Sequence, residues 1–422
     1  MTEFSIDAAR ALAGPSWLVD RRVSAAEDFA AAVPPDVADE QWRYSAIREF
    51  DLAQFVPSPE SCAAPALDFE LDASAVVRTV NGRIVSVEST AEFSAAGAYA
   101  GPLTGSEQGP DLLGAVGSEA AGYFTILNDA FVADPVLIRV PRGVVLHKPI
   151  VVTHHLSGSG AAAFPRLVVD VGADAQAEVH DHHTSDSGAL LVCPLTELDV
   201  SPAGRLGYLN VQQLGSRTWQ FASQLGRAGR DARLTVATAA FGGGYARTRS
   251  DVRLVGRGAD CDLSALYFGD RRQGLDFRTY QDHVAADTTS NLLYKGVVSD
   301  ESRSIYTGLI RVRPDARGTN AFQTNRNLKL GEDAWVESVP NLEIENNDVR
   351  CSHASAVGPV DAEQRFYLES RGVTTGEAER LIVAGFLSEV LETMPVKAMH
   401  GPLRSAIDAK LSRQRRSEEA AS

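Results

Sequence analysis

Several signatures of enzymes and of membrane proteins are missing from this sequence. It contains no G-x-x-x-x-G-K-[ST] phosphate-binding loop, so we do not expect this chain to hydrolyse ATP by itself. The G-x-S-x-G and H-E-x-x-H motifs of hydrolases and metalloproteases are also absent. No apolar run approaches the roughly 18 residues of a membrane span, and no signal peptide is visible at the N-terminus. These absences predict a non-enzymatic protein that does not insert into membranes.

Cysteine and positive charge are both scarce. The four cysteines, Cys62, Cys193, Cys261 and Cys351, are widely spaced and form no C-x-x-C pair. Such spacing favours reduced thiols in the cytoplasm over a disulfide framework or a closed zinc site. Lysine and arginine number 40 against 55 acidic residues, which gives a formal net charge of −15. An acidic chain of this kind is repelled by a phosphate backbone, so we do not expect nucleic acid among its partners.

Residues 1–133 form the first of three predicted regions, an N-terminal helical region with a small hairpin. Apolar residues three and four apart in the Ala-rich stretches 5–12 and 25–33 are typical of helices. Alternating apolar and polar residues on both sides of Asn81 and Gly82 predict a hairpin turn at that dipeptide. The clustered apolar residues between 112 and 131 predict a single helix.

Residues 134–357 form the second region, in which a polar turn followed by an alternating strand recurs. The early copies lie roughly 27–30 residues apart, a spacing typical of a solenoid or a propeller. Small residues at inward-compatible positions suit the narrow coils of a β-helix, and no G-H…W-D propeller signature occurs. We therefore predict a mainly β fold: a parallel β-helix core flanked by N-terminal and C-terminal helical domains. The small residues are Ala175, Ala177, Ala232, Cys261 and Ala265.

Residues 358–422 form the third region, a C-terminal helical domain. Apolar residues between 378 and 391 follow a spacing of three and four residues, which predicts an amphipathic helix. One stripe of this helix consists of Leu381, Phe386, Leu387 and Leu391. Two interpretations stay open: the stripe packs against the protein's own core, or part of it faces a partner protein.

Cys351 and His353 are the first candidates for chemistry. They stand one residue apart in a segment that begins as a strand, and side chains two apart in a strand point to the same face. A thiolate and an imidazole side by side can ligate a soft metal or handle sulfur. From the residues alone a second interpretation is also open: a cysteine that packs as a small hydrophobe beside a surface histidine.

The run from His180 to His183 supplies a second set of candidates. On a strand His180 and His182 share one face, while Asp181 and His183 share the other. Two neutral imidazoles on one face can bind Fe(II) or Zn(II), so His180 and His182 are candidate metal ligands. The alternative is a solvated outer strand, on which an acidic protein carries His and Asp at little cost.

Two further histidine positions are interpreted as structural. His154 and His155 are adjacent, so their side chains diverge on a strand, and we interpret both as surface residues. His283 lies in an alternating segment and is interpreted as an ordinary histidine of a sheet.

The segment at residues 340–372 carries a succession of short motifs. They are Pro340, Leu342-Glu343-Ile344, Asp348-Val349, Cys351, His353, Val357-Gly358, Asp361, Phe366-Tyr367-Leu368 and Ser370-Arg371-Gly372. This succession resembles the C-terminal signature of the SufB/SufD family, the β-helical subunits of the SUF iron–sulfur cluster assembly system. Ala354 and Pro359 depart from the family pattern, but neither departure removes a reactive group.

The resemblance is closer to SufD than to SufB, and it implies a β-helical, non-catalytic subunit of a complex with SufB and the ATPase SufC. SufB and SufD would pair through the C-terminal ends of their β-helices. His353, with Cys351 beside it, would lie at that interface, where a nascent iron–sulfur cluster or iron is shared with SufB. The apolar helix of the third region would dock SufC, in which ATP hydrolysis is expected. Reduced flavin in the complex and a homodimer in the absence of SufB are further expectations.

Two alternatives to a SufD-like subunit stay open. A SufB-like sulfur-accepting scaffold would need further reactive cysteines, for which Cys193 and Cys261 leave room. A β-helical carbohydrate-active enzyme would need a groove with clustered acids and bases, and Asp270 and Asp276 are the nearest candidates.

Overall fold

The structure is a computed structural model that describes residues 3–58, 65, 69, 71–117 and 122–421. Cys62 lies outside the described residues. Cys193 and Cys261 are buried, Cys351 is partly buried, and none of these three forms a disulfide. No helix within the described ranges is both long and apolar enough to cross a membrane.

Helices occur before the first strands of the core, between its early strands and after its last strand. Local caps start several of them: the Ser5 hydroxyl accepts a hydrogen bond from the Ala8 amide, and the Asp361 carboxylate accepts from the amides of Glu363 and Gln364. The helices are α1 (Ile6–Ala11), α2 (Ser16–Ala31), α3 (Ala91–Ala95), α4 (Gly109–Leu112), α5 (Tyr123–Phe131), α6 (Ala362–Ser370), α7 (Thr375–Leu391) and α8 (His400–Ala421). Single 3₁₀ turns lie at Glu40–Trp42, Ile47–Glu49, Leu52–Gln54, Leu103–Gly105 and Lys397–Met399.

The core consists of two facing sheets whose strands alternate along the chain. The first sheet runs through β4 (Tyr99–Pro102), β5 (Val136–Val140), β8 (Arg166–Val171), β11 (Leu195–Val200), β13 (Thr218–Ala228), β15 (Tyr245–Leu254), β17 (Gly274–His283), β19 (Arg303–Val312) and β21 (Trp335–Ile344). Beside it lie the short strands β1 (Val56–Pro57), β7 (Ala161–Ala163) and β10 (Leu190–Val192). From β5 to β21 the neighbouring strands of the main path are parallel.

The second sheet faces the first and has the same parallel pairing over most of its length. It runs through β3 (Arg83–Ser89), β2 (Ala75–Val80), β6 (Ile150–Leu156), β9 (Gln176–Ser185), β12 (Arg205–Gln213), β14 (Arg233–Ala240), β16 (Asp260–Gly269), β18 (Thr289–Ser299), β20 (Thr319–Leu330) and β22 (Val349–Pro359). The pair β2 and β3 is antiparallel, with positive φ angles at Asn81 and Gly82. The predicted hairpin turn is therefore confirmed.

The alternation of sheets makes the core a parallel β-solenoid, as predicted, and the solenoid has about eight turns. Strands of the second sheet pair in register with their equivalents one turn later, so that Arg205 lies opposite Arg233, 28 positions further along. Over much of the solenoid, apolar side chains that point between the sheets form one cluster, which includes the small residues Ala177, Ala232 and Cys261. Small side chains are needed there because successive turns stack closely.

In successive coils, one of the turns that connect the strands contains a residue with a left-handed backbone conformation. Asp174, Ala203, Asp231, Gly258 and Asp287 have φ angles between 54° and 73° at equivalent places. The amide of each donates to a carbonyl of the following turn at 2.8 to 3.2 Å. Gly and Asp tolerate this conformation best, which explains why they recur in the repeated turns.

The predicted single helix between residues 112 and 131 is wrong. Helix α4 ends at Leu112, and α5 begins only at Tyr123. Gly114 and Gly117 lie between them with φ angles of 84° and 54°. A helix cannot pass through left-handed residues, so the apolar side chains of this segment are buried by a turn followed by a shorter helix.

Both groups of helices pack against the outside of the solenoid. In the C-terminal group, Leu387 and Leu391 of α7 are fully buried against outward-facing residues of the second sheet, including Leu209, Leu266 and Phe268. Each such leucine contributes about 1.5–3 kcal/mol by leaving water. The second sheet is therefore covered on both faces along this part of its length.

Candidate functional site

Cys351 and His353 lie on β22, the last strand of the second sheet. In the pairing with β20, Cys351 is opposite Ala321 and His353 is opposite Gln323. Ala321 and Gln323 are buried and point between the sheets. Their partners on β22 therefore point to the inner side of the last coil, and the two candidate residues share one face, as their spacing indicated.

The two side chains differ in their access to solvent. Cys351 is half-buried and packs against the small apolar cluster of Ile310, Val312, Ala316 and Ala321. Burial raises the pKa of its thiol, and a backbone hydrogen bond from Ala321 opposes this only in part. At neutral pH Cys351 is thus a protonated, packed thiol. His353 is exposed, so its imidazole is available to a ligand or to another chain.

The solenoid ends here with two open strand edges. Within the part of the chain that the structure describes, β22 pairs only with β20 and β21 pairs only with β19, so each sheet ends in a long strand with one unpaired side. The two strands have 11 and 10 residues, and most of their side chains are exposed or half-buried. Unpaired backbone amides and carbonyls on such an edge are a template for strands of another chain.

Polar side chains fill the inside of the final coils. The Ser355 hydroxyl donates to the hydroxyl oxygen of Ser338 at 2.8 Å, which bridges β22 and β21. Ser338 donates to Asn325 at 3.0 Å, and Asn327 donates to the same oxygen at 2.9 Å. This network was not predicted from the sequence. The alternation of asparagines at 325 and 327 was the available signal, because side chains two apart share a face.

His180 and His182 share the outward face of β9, as expected. His180 Nε2 lies 3.3 Å from His182 Nδ1, and His182 Nε2 lies 3.0 Å from the Gln213 side-chain oxygen. Phe69 covers both rings, with centroid distances of 5.6 and 5.3 Å. Burial is the main cause that lowers the pKa of His180 to about 3, and the neighbouring His182 is the second cause. The imidazole of His180 is therefore neutral at physiological pH. Metal binding by this pair stays a prediction.

The interpretation of His154 as a surface residue is wrong. Its side chain is only 2% exposed, because it points between the two sheets, where polar residues of neighbouring coils surround it. His155 points outward and is partly buried. His283 is buried between the hydroxyls of Thr288 and Ser290, each 2.8 Å from one ring nitrogen, which fits a structural histidine of a sheet.

The apolar stripe of α7 is divided between two environments. Leu387 and Leu391 are fully buried against the chain's own second sheet. Phe386 is partly buried beneath the ammonium of Lys295, which lies 4.5 Å from its ring centroid. Leu381 is 44% exposed. Among the four predicted docking residues, Leu381 is therefore the one most accessible to a partner in this arrangement.

The residues that would serve a carbohydrate-active enzyme are engaged in ion pairs. The Asp270 carboxylate accepts from Lys410 at 2.6 Å. Asp276 is fully buried and accepts from Tyr245 at 2.6 Å and from Arg247 at 2.9 Å. Neither carboxylate has the free, solvent-facing position that general acid–base catalysis requires.

Comparison with known proteins gives a consistent assignment. The family model described as "SUF system FeS cluster assembly, SufBD core domain" matches residues 154–386, more than half of the chain. An iron–sulfur cluster assembly SufBD family protein of Mycobacterium tuberculosis is 35% identical over 300 residues, which span 69% of this chain and 74% of that relative.

Two relatives carry the name SufD. The iron–sulfur cluster assembly protein SufD of Escherichia coli is 28% identical over 389 residues, which span 89% of each chain. The SufD protein of Bacillus subtilis is 28% identical over 291 residues, which span 68% of this chain and 66% of that protein. This chain thus belongs to the SufB/SufD family of SUF-system iron–sulfur cluster assembly proteins, and within it most resembles SufD.

Proposed function

We propose that this SufD-like, non-catalytic subunit brings His353 to an interface with a paralogous SufB chain, where the iron–sulfur cluster is assembled. The main support for this proposal is the pair of open strand edges at the end of the solenoid. Both sheets terminate in open edges of 10 and 11 residues, and the exposed His353 lies on one of them. Strand addition at these edges would bring the partner's backbone close to the imidazole.

The chemistry follows from the state of the two side chains. An exposed imidazole can ligate Fe(II) or accept a proton. Cys351 has a raised pKa and packs among aliphatic side chains, so it is poorly suited to supply a thiolate. His353 therefore contributes an iron ligand or a proton acceptor, and the sulfur-accepting thiolate comes from SufB. Iron and the nascent cluster are the cargo of this interface, shared between the two chains.

The C-terminal helices are the proposed binding site for the ATPase SufC, and ATP hydrolysis is proposed to occur in SufC alone. Leu381 of α7 is 44% exposed, and Phe366 and Tyr367 of the neighbouring α6 are 71% and 58% exposed. These three exposed side chains are the residues proposed to contact SufC. Exposed aromatic and aliphatic groups of this kind suit a protein partner.

The open edges also accommodate a second copy of this chain, so a homodimer is the proposed state when SufB is absent. Reduced flavin in the assembled complex stays a prediction. The three described cysteines are free of disulfides, which is consistent with a reducing compartment such as the cytoplasm.

A SufB-like scaffold role is less well supported. Burial raises the pKa of Cys193 and of Cys261 well above the usual value, and both thiols are inaccessible. A sulfur acceptor needs an accessible thiolate, which neither residue offers.

The variant His353→Ala tests the proposal in a complex reconstituted from this chain, SufB and SufC. We expect the three proteins to co-purify as before, because an exposed side chain contributes little to folding. Cluster formation, followed anaerobically by absorption spectroscopy, should fall to background.

Ser352→Ala is the matched control, since Ser352 is the exposed neighbour whose side chain points to the other face of β22. It should leave the assembly rate unchanged. A normal rate with His353→Ala would show that the assignment of His353 is wrong.

A further inference from the structure

Three potential metal ligands meet inside the first coils of the solenoid. His154 on β6 and Asp181 and His183 on β9 all point between the sheets. Their side chains are 2%, 1% and 3% exposed. One ligand atom from each residue lies within 4.8 Å of the other two. We call these residues the inner triad.

The distances in the inner triad match those of ligands around one cation. Asp181 Oδ1 lies 3.0 Å from His183 Nε2 and 3.5 Å from His154 Nε2. Two atoms that each coordinate a metal at about 2.1 Å are separated by about 3.0 Å in octahedral and about 3.4 Å in tetrahedral geometry. Asp181 Oδ1 accepts no hydrogen bond of ordinary geometry, although it is completely buried. The three atoms thus surround a common point.

Neighbouring residues form hydrogen bonds with the ligand side chains through the atoms that face away from the common point. The other carboxylate oxygen of Asp181 accepts from the Tyr208 hydroxyl at 2.6 Å, with Asn210 at 3.4 Å. His154 Nδ1 lies 2.7 Å from the Thr79 hydroxyl. Partners of this kind fix the rotation of ligating side chains and leave Asp181 Oδ1 and His154 Nε2 free for the cation.

A small cavity beside His183 offers room for one more ligand. Its volume is about 10 Å³, and its lining includes Thr196, Tyr208, Asn210 and Gln220. This volume corresponds to roughly one water molecule, and the polar lining supplies hydrogen-bond partners for it. Three protein ligands plus one water is a common coordination set for a first-row metal.

We propose that His154, Asp181 and His183 bind one divalent first-row transition metal ion inside the solenoid. Two imidazoles and one carboxylate are the donor set of many Fe(II) sites, and they also accept Zn(II) and Mn(II). The site lies on β6 and β9, at the other end of the solenoid from β22, so it does not depend on the role proposed for His353. It also differs from the outward pair of His180 and His182.

Cobalt(II) is a suitable probe, because its visible d–d absorption reports ligand number and geometry. The full chain is unfolded with a chelator and refolded anaerobically with Co(II), since a buried site has to be filled as the coils close. We expect one Co(II) per chain after desalting, with an absorption band in the visible range and a higher thermal midpoint than the metal-free chain has. Competition with Fe(II) and with Zn(II) then ranks the metals.

Two variants on different strands separate loss of the site from loss of the fold. Asp181→Asn and His154→Gln should each weaken Co(II) binding by more than the roughly 10–100-fold that loss of a second-layer partner costs. Circular dichroism of the metal-free variants shows whether each has folded. If one variant does not fold, the other carries the test.

Three control variants change histidines outside the inner triad. The double variant His180→Gln with His182→Gln, the variant His353→Ala, and the variant of the exposed His147, His147→Gln, should all retain one Co(II) per chain. The proposal is overturned if the folded wild-type chain retains no Co(II). It is equally overturned if folded Asp181→Asn and His154→Gln bind as the wild type does, or if only the double variant loses the metal.

Discussion

We expect the buried ion pair between Arg166 and Glu197 to make a large contribution to the free energy that holds the N-terminal region against the solenoid. Both side chains are almost completely buried, at 2% and 0% exposure. Glu197 Oε1 accepts from Arg166 Nε at 3.0 Å and from Nη2 at 2.6 Å. The same carboxylate accepts from the backbone amides of Gly114 and Val116 at 2.9 and 3.2 Å. Glu197 therefore joins a strand of the solenoid to the segment between α4 and α5.

The variant Glu197→Gln keeps the shape of the side chain and removes its charge. One amide oxygen cannot accept all four hydrogen bonds, and the new NH₂ group faces donors. Breaking one partner of a buried pair costs about 3–5 kcal/mol. Because Asp129 still accepts from Arg166 at 3.0 Å, we expect the lower end of that range, about 3 kcal/mol.

Urea unfolding followed by tryptophan fluorescence measures the change in the free energy of unfolding. Native-state hydrogen exchange should show accelerated exchange at the amides of Gly114 and Val116. Glu301→Gln is the matched control, because Glu301 pairs with Arg272 on the surface, at 65% and 86% exposure. An exposed pair of this kind contributes at most about 1 kcal/mol. If the two variants lose the same stability, the reasoning from burial is wrong.

Two further predictions concern the C-terminal helices. Deletion beyond residue 372 should abolish SufC binding, but it also uncovers the apolar outer face of the second sheet, so Leu381→Glu is the sharper test. Leu381→Glu should abolish co-purification with SufC and leave the thermal midpoint unchanged. Val87→Glu, at a similarly exposed position on β3, should leave co-purification with SufC intact. Burial lowers the pKa of Lys410 from 10.5 to about 8, so the unfolded chain binds more protons between these pH values and the free energy of unfolding should rise with pH across that window. The rise between pH 8 and pH 10 should be about 2 kcal/mol, as measured by urea unfolding, and it should be missing from Lys410→Met; an equal rise in both proteins would contradict the assignment.

Local turn chemistry and repeat spacing made much of the fold predictable. The Asn81 and Gly82 turn was identified because those residues adopt positive φ readily. The solenoid was identified from polar turns at a regular spacing and from small residues such as Ala177 and Ala232, which are buried between the sheets. These features are local or periodic, so a single sequence carries them.

The missed helix boundary has a conformational cause. The apolar residues between 112 and 131 fit a helical spacing, but Gly114 and Gly117 adopt left-handed conformations and end the first helix. A glycine within an apolar pattern is compatible with a helix or with a turn. The contacts of the surrounding chain decide between them, and the sequence does not contain those contacts in readable form.

The inner triad was missed for a different reason. Alternation tells which side chains share a face, and it correctly separated His180 and His182 from Asp181 and His183. It does not tell which face points inward when both faces are polar. Here the outward face of the second sheet is also buried, so neither composition nor alternation marks His154 and His183 as interior residues.

The two ends of the solenoid have opposite consequences for growth of an assembly. At the first end the parallel ladders finish in reversed strands, β3 of 7 residues and β4 of 4 residues, each antiparallel to its neighbour. At the other end both ladders finish in long strands that keep the parallel direction. An incoming strand therefore finds more unpaired backbone groups at β21 and β22 than at β3 and β4. This difference in strand length and direction favours association of two chains through the β21 and β22 end over continued stacking of one chain on the next.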